Sequence, residues 1–167
     1  MEQIMASLIH LISPEAFEAS GAIDANDEHD LLRRYRLAGE LGRALDAAAF
    51  SLIAEHTNTE LTQALRAVFV GVHQLAIVLG PICRTLLQPS WLEALETPVR
   101  CGRGREALIA ELGDVADQLA EDCGALEQES ERDDVLRWLR SSWRRLALVH
   151  VLAVGLSRCV RDDAQDV

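Results

Sequence analysis

Residues 61–86 have the sequence LTQALRAVFVGVHQLAIVLGPICRTL. Leucine, valine or isoleucine recurs there at alternating steps of four and three, at positions 61, 65, 68, 72, 75, 79, 82 and 86. This spacing is typical of a helix that packs at a shallow angle against antiparallel neighbours. The preceding Thr57-Asn58-Thr59-Glu60 predicts a capping box, so we expect the helix to begin near residue 57. Gly80-Pro81 lies inside it and predicts a kink near residues 77–80.

Three further stretches of the chain predict long amphipathic helices. They cover about residues 26–56, 105–127 and 130–161, and each carries an apolar stripe at helical spacing. The stripes contain Leu31, Tyr35, Ala38, Leu45, Ala49 and Leu52 in the first, Leu108, Leu112, Val115, Leu119 and Leu126 in the second, and Leu139, Trp143, Leu146, Ala153 and Val160 in the third. Because each stripe occupies one side of its helix, we expect the four helices to share one core.

No part of the chain alternates apolar and polar residues as a half-buried strand would. The sequence therefore predicts an all-α fold, an antiparallel bundle of four long helices in up-down-up-down order. Short accessory helices are expected at residues 14–20, in the N-terminal region, and near residues 90–97. We expect a single domain with an N-terminal arm at residues 1–24, the bundle at 25–162 and a polar tail at 163–167.

The composition disfavours several classes of protein. The 167-residue chain has 16 basic residues, all arginine, against 27 acidic residues, which gives a formal net charge of -11. This charge disfavours a protein that coats nucleic acid or anionic lipid, since both kinds of binding rely on clustered cations. The four cysteines form no Cys-x-x-Cys pair, and the apolar N-terminus lacks the basic start of a signal peptide. We therefore expect a cytoplasmic protein without a bound cofactor and without a nucleic-acid partner.

Two apolar segments, residues 67–83 and 146–160, have the composition of candidate membrane spans. Each is shorter than the roughly 20 apolar residues that cross a bilayer, and Gly80-Pro81 interrupts the first. A central bundle helix, or a helix buried between copies of the chain, explains them better. The sequence thus predicts no membrane partner and favours a homo-oligomer, most simply a homodimer.

Four carboxylates form the first candidate site. Glu93 and Glu96, and then Glu111 and Asp114, are spaced three residues apart, so each pair shares one helical face. Carboxylates from two adjacent helices would hold Mg²⁺ and, through it, a triphosphate that a metal-activated water attacks. Residues 93–119 resemble all-α nucleoside triphosphate pyrophosphatases of the MazG type, in which a Glu-x-x-Glu precedes a Glu-x-x-Asp on the next helix. The resemblance implies a Mg²⁺-dependent pyrophosphatase with these four carboxylates as metal ligands, which is the alternative function.

Two histidines form the second candidate site. His73 and His150 each interrupt a very apolar helix, so in a bundle they would face one another and bind a haem or another small ligand. The chain has no Glu-x-x-His pair of the kind that di-iron bundles use. Because a single histidine on an apolar face is more often a hydrogen-bonded core residue, a haem-binding or small-ligand-binding bundle is the second alternative.

An arginine cluster near the start of the last helix is the third candidate, formed by Arg132, Arg137, Arg140, Arg144 and Arg145. Arg137, Arg140 and Arg144 share one helical face, which would suit a nucleic-acid backbone. The preceding helix offers carboxylates as internal partners, namely Glu111, Asp114, Asp117, Glu121 and Asp122. If the two helices pack antiparallel, ion pairs between them give these arginines a structural role, and this is the interpretation that we favour.

No convergent catalytic pattern emerges from these candidates. The apolar helical surface in residues 68–79 and 146–156 exceeds what four packed helices need. We therefore expect a bundle without catalytic activity that acts through protein contacts as a regulator, adaptor or specialised chaperone.

Overall fold

The computed structural model describes residues 27–54, 57–87, 104–128 and 131–165, and within these ranges it contains four helices and no strand. The helices are α1 (Glu28–Ala54), α2 (Asn58–Leu86), α3 (Arg105–Gln128) and α4 (Arg132–Gln165). The predicted all-α bundle of four long helices is confirmed. Helix α4 runs to Gln165, about one turn beyond its predicted end, while the short helices predicted at 14–20 and near 90–97 lie outside the described residues.

Side chains at the start of α1 and α2 satisfy backbone amides that have no partner inside the helix. The Oγ1 atom of Thr57 accepts a hydrogen bond from the Glu60 amide at 3.2 Å, and Glu60 Oε2 accepts one from the Thr57 amide at 3.1 Å. This confirms the predicted capping box. At the start of α1, Asp27 Oδ1 accepts from the amides of His29 and Asp30 at 3.1 and 3.2 Å. The N-termini of α1 and α2 are therefore set by local sequence.

Helix α1 lies between α2 and α3, and α4 closes the bundle on the opposite side, between the same two helices. Gly42 lies against Cys123 and Ile53 approaches Gly113, so residue numbers rise along α1 as they fall along α3. Contacts between α2 and α4, and between α3 and α4, also pair rising with falling residue numbers, so these helices are antiparallel. Helices α1 and α2 are antiparallel because a connection of three residues joins them. A Cβ on Gly42 would lie 3.1 Å from the Cys123 Cβ, so glycine permits the close approach of α1 to α3.

Helices α2 and α3 begin at the same end of the bundle. Arg105, the first residue of α3, donates from Nη1 to Asn58 Oδ1 at 3.0 Å, and Asn58 is the first residue of α2. Asp163, near the end of α4, lies 3.5 Å from the same Arg105 nitrogen. The four helices therefore run up-down-down-up, with α2 and α3 parallel on a diagonal of the bundle, and the predicted up-down-up-down order is wrong.

The lengths of the connections explain this order. Only residues 55–57 separate α1 from α2, and 129–131 separate α3 from α4, so each of these pairs turns back on itself. The 17 peptide links from Leu87 to Gly104 reach up to about 60 Å, whereas α3 is about 36 Å long. The chain between α2 and α3 can therefore span the bundle, and a single long crossover of this kind is a known way to join four helices.

The predicted apolar stripes meet in a single core. All side chains of these stripes are fully buried or nearly so, except those of Leu31 and Leu86, which are half-buried at the rim. Trp143 is the largest fully buried side chain, and its ring packs over Gly80, where a Cβ would lie only 3.5 Å from the ring. Helix α2 is long and apolar enough to span a membrane, since its most apolar stretch of 18 residues has a mean hydropathy of 1.7, yet 56% of that stretch is buried in the bundle. All four helices contribute to the core, and the apolar side of α2 is part of it.

Candidate functional site

A buried carboxylate lies between α3 and α4. Asp122 is 2% exposed, and its Oδ2 accepts hydrogen bonds from Ser141 Oγ at 2.7 Å and from Arg145 Nη1 at 2.5 Å. The same Arg145 nitrogen also points at the Gln118 carbonyl, at 3.5 Å. The prediction that acidic residues of α3 pair with the arginines is confirmed for Arg145, whereas nothing in the sequence distinguished Ser141 as a partner.

Next to this contact, four arginines line a groove of about 370 Å³ on the outward side of α4. We call it the arginine groove, formed by Arg137, Arg140, Ser141, Arg144 and Arg145. Arg137 pairs with Asp134 at 2.8 Å, and its guanidinium lies 5.2 Å from the centre of the Trp138 ring. Within the described ranges, Arg140 and Arg144 are exposed and have no carboxylate within 4.0 Å. The predicted internal pairing therefore accounts for only part of the cluster.

The structure describes two of the four predicted magnesium ligands. Glu111 is half-buried and Asp114 is exposed, one turn apart on α3, while Glu93 and Glu96 lie outside the described residues. No group of three or more possible metal ligands occurs among the residues that the structure describes. The magnesium site thus stays a prediction that depends on the position of Glu93 and Glu96.

The two histidines of the apolar helices have different surroundings. The ring of His150 packs edge to face on Phe69, with ring centres 5.9 Å apart, and burial lowers the pKa of His150 below 6.5. The side chain of His73 is exposed on α2. Among the described residues, His150 is thus a half-buried histidine that packs on an aromatic ring, and the expected pair with His73 facing it across the bundle is not formed.

Large apolar side chains reach the surface at a few positions. Those exposed by more than a third are Leu32, Leu37, Phe50, Ile53, Val70 and Ile77. Val70 and Ile77 are seven residues apart on α2, so they share one outward face, and no acidic residue occurs between Leu61 and Leu86. In contrast, no large hydrophobic residue in the predicted 146–156 stretch of α4 is exposed to this degree. Of the two predicted stretches, only the one on α2 exposes large apolar side chains to this degree, and α1, for which none was predicted, exposes four.

Comparison with known proteins identifies no relative. No protein family, curated protein or solved structure matches the chain. The function has to be inferred from the arrangement of this chain's own side chains.

Proposed function

We propose that the protein is a non-catalytic interaction protein, a regulator, adaptor or chaperone, and that the outward side of α2 is its binding surface. This α2 face consists of the exposed residues Gln63, Arg66, Ala67, Val70, His73, Gln74, Ile77, Arg84 and Thr85. The observation that carries the proposal is its composition, because it combines the exposed apolar side chains of Val70 and Ile77 with the cation Arg66 and contains no carboxylate. In a chain with a net charge of -11, such a surface favours an acidic partner with an apolar centre.

We propose a second copy of the chain as this partner, since the bundle also carries the complementary surface. The α1–α3 seam, formed by Asp46, Phe50, Ile53, Gly113 and Asp117, combines two exposed apolar side chains with carboxylates. Phe50 is 71% exposed and Ile53 is 56% exposed. Burial, together with the nearby charge of Asp117, raises the pKa of Asp46, so the carboxylates of this seam lack local neutralisation.

The wider charge distribution supports the same pairing. Helix α3 carries seven carboxylates against one arginine, whereas the only charged residues on α2 are Glu60, Arg66 and Arg84. Opposite charges on two separate faces of one molecule steer copies together head to tail. Because such a contact joins two different surfaces, it would produce a head-to-tail homo-oligomer and not a twofold-symmetric dimer.

The size of the surface predicts a modest affinity. The α2 face runs over residues 63–85, about 35 Å of helix, so a strip about 10 Å wide along it offers roughly 350 Å². A standard interface buries about 800 Å² on each partner. We therefore expect reversible association that depends on protein concentration, strengthened at low salt because charges border the apolar centre.

Sedimentation velocity over a range of concentrations tests the proposal. Val70→Glu and Ile77→Glu place a carboxylate at the apolar centre of the α2 face without disturbing a buried group, and each should abolish association. Thr59→Glu is the matched control, because it adds the same charge at an exposed position in the first turn of the same helix, outside the α2 face. Wild-type protein that remains monomeric at every concentration, or equal association of all variants, would refute the proposal.

A further inference from the structure

The arginine groove lies on α4, away from the α2 face, and its charge exceeds what the bundle itself needs. Four guanidinium groups occur between residues 137 and 145, which span about 12 Å of helix. Two of these groups have carboxylate partners, Asp122 for Arg145 and Asp134 for Arg137. Four positive charges against two negative charges leave a local charge of +2, contributed by Arg140 and Arg144.

Contacts at the groove hold one of its guanidinium groups in place and orient a second. Arg145 is held by Asp122, which is buried and also accepts from Ser141. Arg137 is held between the carboxylate of Asp134 and the face of Trp138. The groove therefore has one guanidinium group held by a buried carboxylate, that of Arg145, and Arg140 and Arg144 lie beside it. This preorganisation lowers the entropic cost of binding an anion.

We propose that the arginine groove binds a phosphate monoester group. At neutral pH a phosphate monoester carries close to two negative charges and three strong acceptor oxygens, which match the local charge of +2. Guanidinium groups present paired donors in a plane, the geometry that phosphate oxygens accept best. The volume of about 370 Å³ holds one phosphoryl group and the part of the molecule attached to it.

A nucleic acid fits these observations less well than a compact phosphate ester. The groove offers charge over about 12 Å only, whereas binding along a nucleic-acid backbone neutralises many phosphates in succession. The net charge of -11 repels a long polyanion beyond the edges of the groove. A single phosphoryl group contacts the local positive charge of the groove and stays clear of the acidic surface beyond it.

Isothermal titration calorimetry with inorganic phosphate and with phosphoserine tests this site in the full chain. The double variant Arg140→Gln with Arg144→Gln should weaken binding at least tenfold. The matched control is Arg158→Gln with Arg161→Gln, which removes the same charge from two exposed positions further along α4 and should stay within twofold of wild type. Sodium chloride keeps the ionic strength constant, so that the difference reports the groove and not screening.

Two further ligands distinguish the sources of the phosphate group. A sugar phosphate that binds more tightly than phosphoserine assigns the groove to a free small molecule, whereas a phosphoserine peptide that binds more tightly assigns it to a phosphorylated protein. Either result supports the proposal. It is overturned if neither inorganic phosphate nor phosphoserine binds, if both double variants bind equally, or if the unphosphorylated peptide binds as tightly as its phosphorylated form.

Discussion

The contact between Asp122 and Arg145 should contribute more to stability than any other ion pair in the described chain. Asp122 is 2% exposed and accepts two hydrogen bonds, one from a guanidinium and one from a hydroxyl. Hydrogen bonds to charged groups are worth about 1.5–3 kcal/mol each, and removing one member of a buried pair costs about 3–5 kcal/mol. Because the Arg145 side chain is 33% exposed, water replaces part of the hydrogen bonding that Arg145 loses when Asp122 is removed. We expect Asp122→Ala to lower the free energy of unfolding by about 2–4 kcal/mol.

A double-mutant cycle isolates this pair. Asp122→Ala, Arg145→Ala and the double variant are compared with wild type in urea, with far-UV circular dichroism as the signal for unfolding. The coupling energy should be about 1–3 kcal/mol. The matched control is the pair Asp134 and Arg137, whose side chains are 35% and 65% exposed, and whose coupling should be about 0.2–0.5 kcal/mol. A coupling energy between Asp122 and Arg145 no larger than that of the control would refute this reasoning.

Three other predictions concern single groups. Burial lowers the pKa of His150, so the unfolded chain binds a proton on this ring more readily than the folded chain does. The stability that comes from keeping the ring neutral is therefore full above pH 6.5. It is lost as the pH falls toward the pKa of His150 in the folded protein. The urea midpoint of His150→Phe should therefore fall less than that of wild type between about pH 7.5 and pH 5.5; equal losses would contradict a role for His150. Burial raises the pKa of Cys83 and of Cys123, the latter to about 12, so a thiol reagent should modify both only after urea unfolds the protein, and rapid modification of either in the native state would contradict this. If Glu111 belongs to a magnesium site, Mg²⁺ with a nucleoside triphosphate should raise the Tm and Glu111→Gln should abolish the shift, whereas no shift across a panel of nucleotides would exclude the pyrophosphatase.

Local sequence signals were sufficient to predict the four helices. The capping box from Thr57 to Glu60 and the alternating steps from Leu61 onward are properties of neighbouring residues, and both are found where they were expected. Helix order is not a local property. It depends on the end of the bundle at which α3 begins after the connection from Leu87 to Gly104. The apolar pattern of α3 is the same whichever way the helix runs.

The site was predictable only in outline. Spacing placed the arginines on one face of α4 and carboxylates on α3, but it did not fix the rotation of α3 about its own axis. That rotation turns Asp122 toward α4 and leaves Asp114 and Asp117 at the surface. Partners therefore differ among carboxylates that look equivalent in sequence, and Arg140 and Arg144 remain outside the ion pairs formed by the described residues.

A mixing experiment tests the proposed head-to-tail association most directly. Val70→Glu blocks the α2 face and leaves the α1–α3 seam intact, while Phe50→Glu does the reverse. Each variant alone should sediment as a monomer at concentrations where wild type associates. Mixed in equal amounts, they should form a dimer and nothing larger, because only one intact pair of surfaces remains. Association of Phe50→Glu by itself, or a mixture that stays monomeric while wild type associates, would contradict the account.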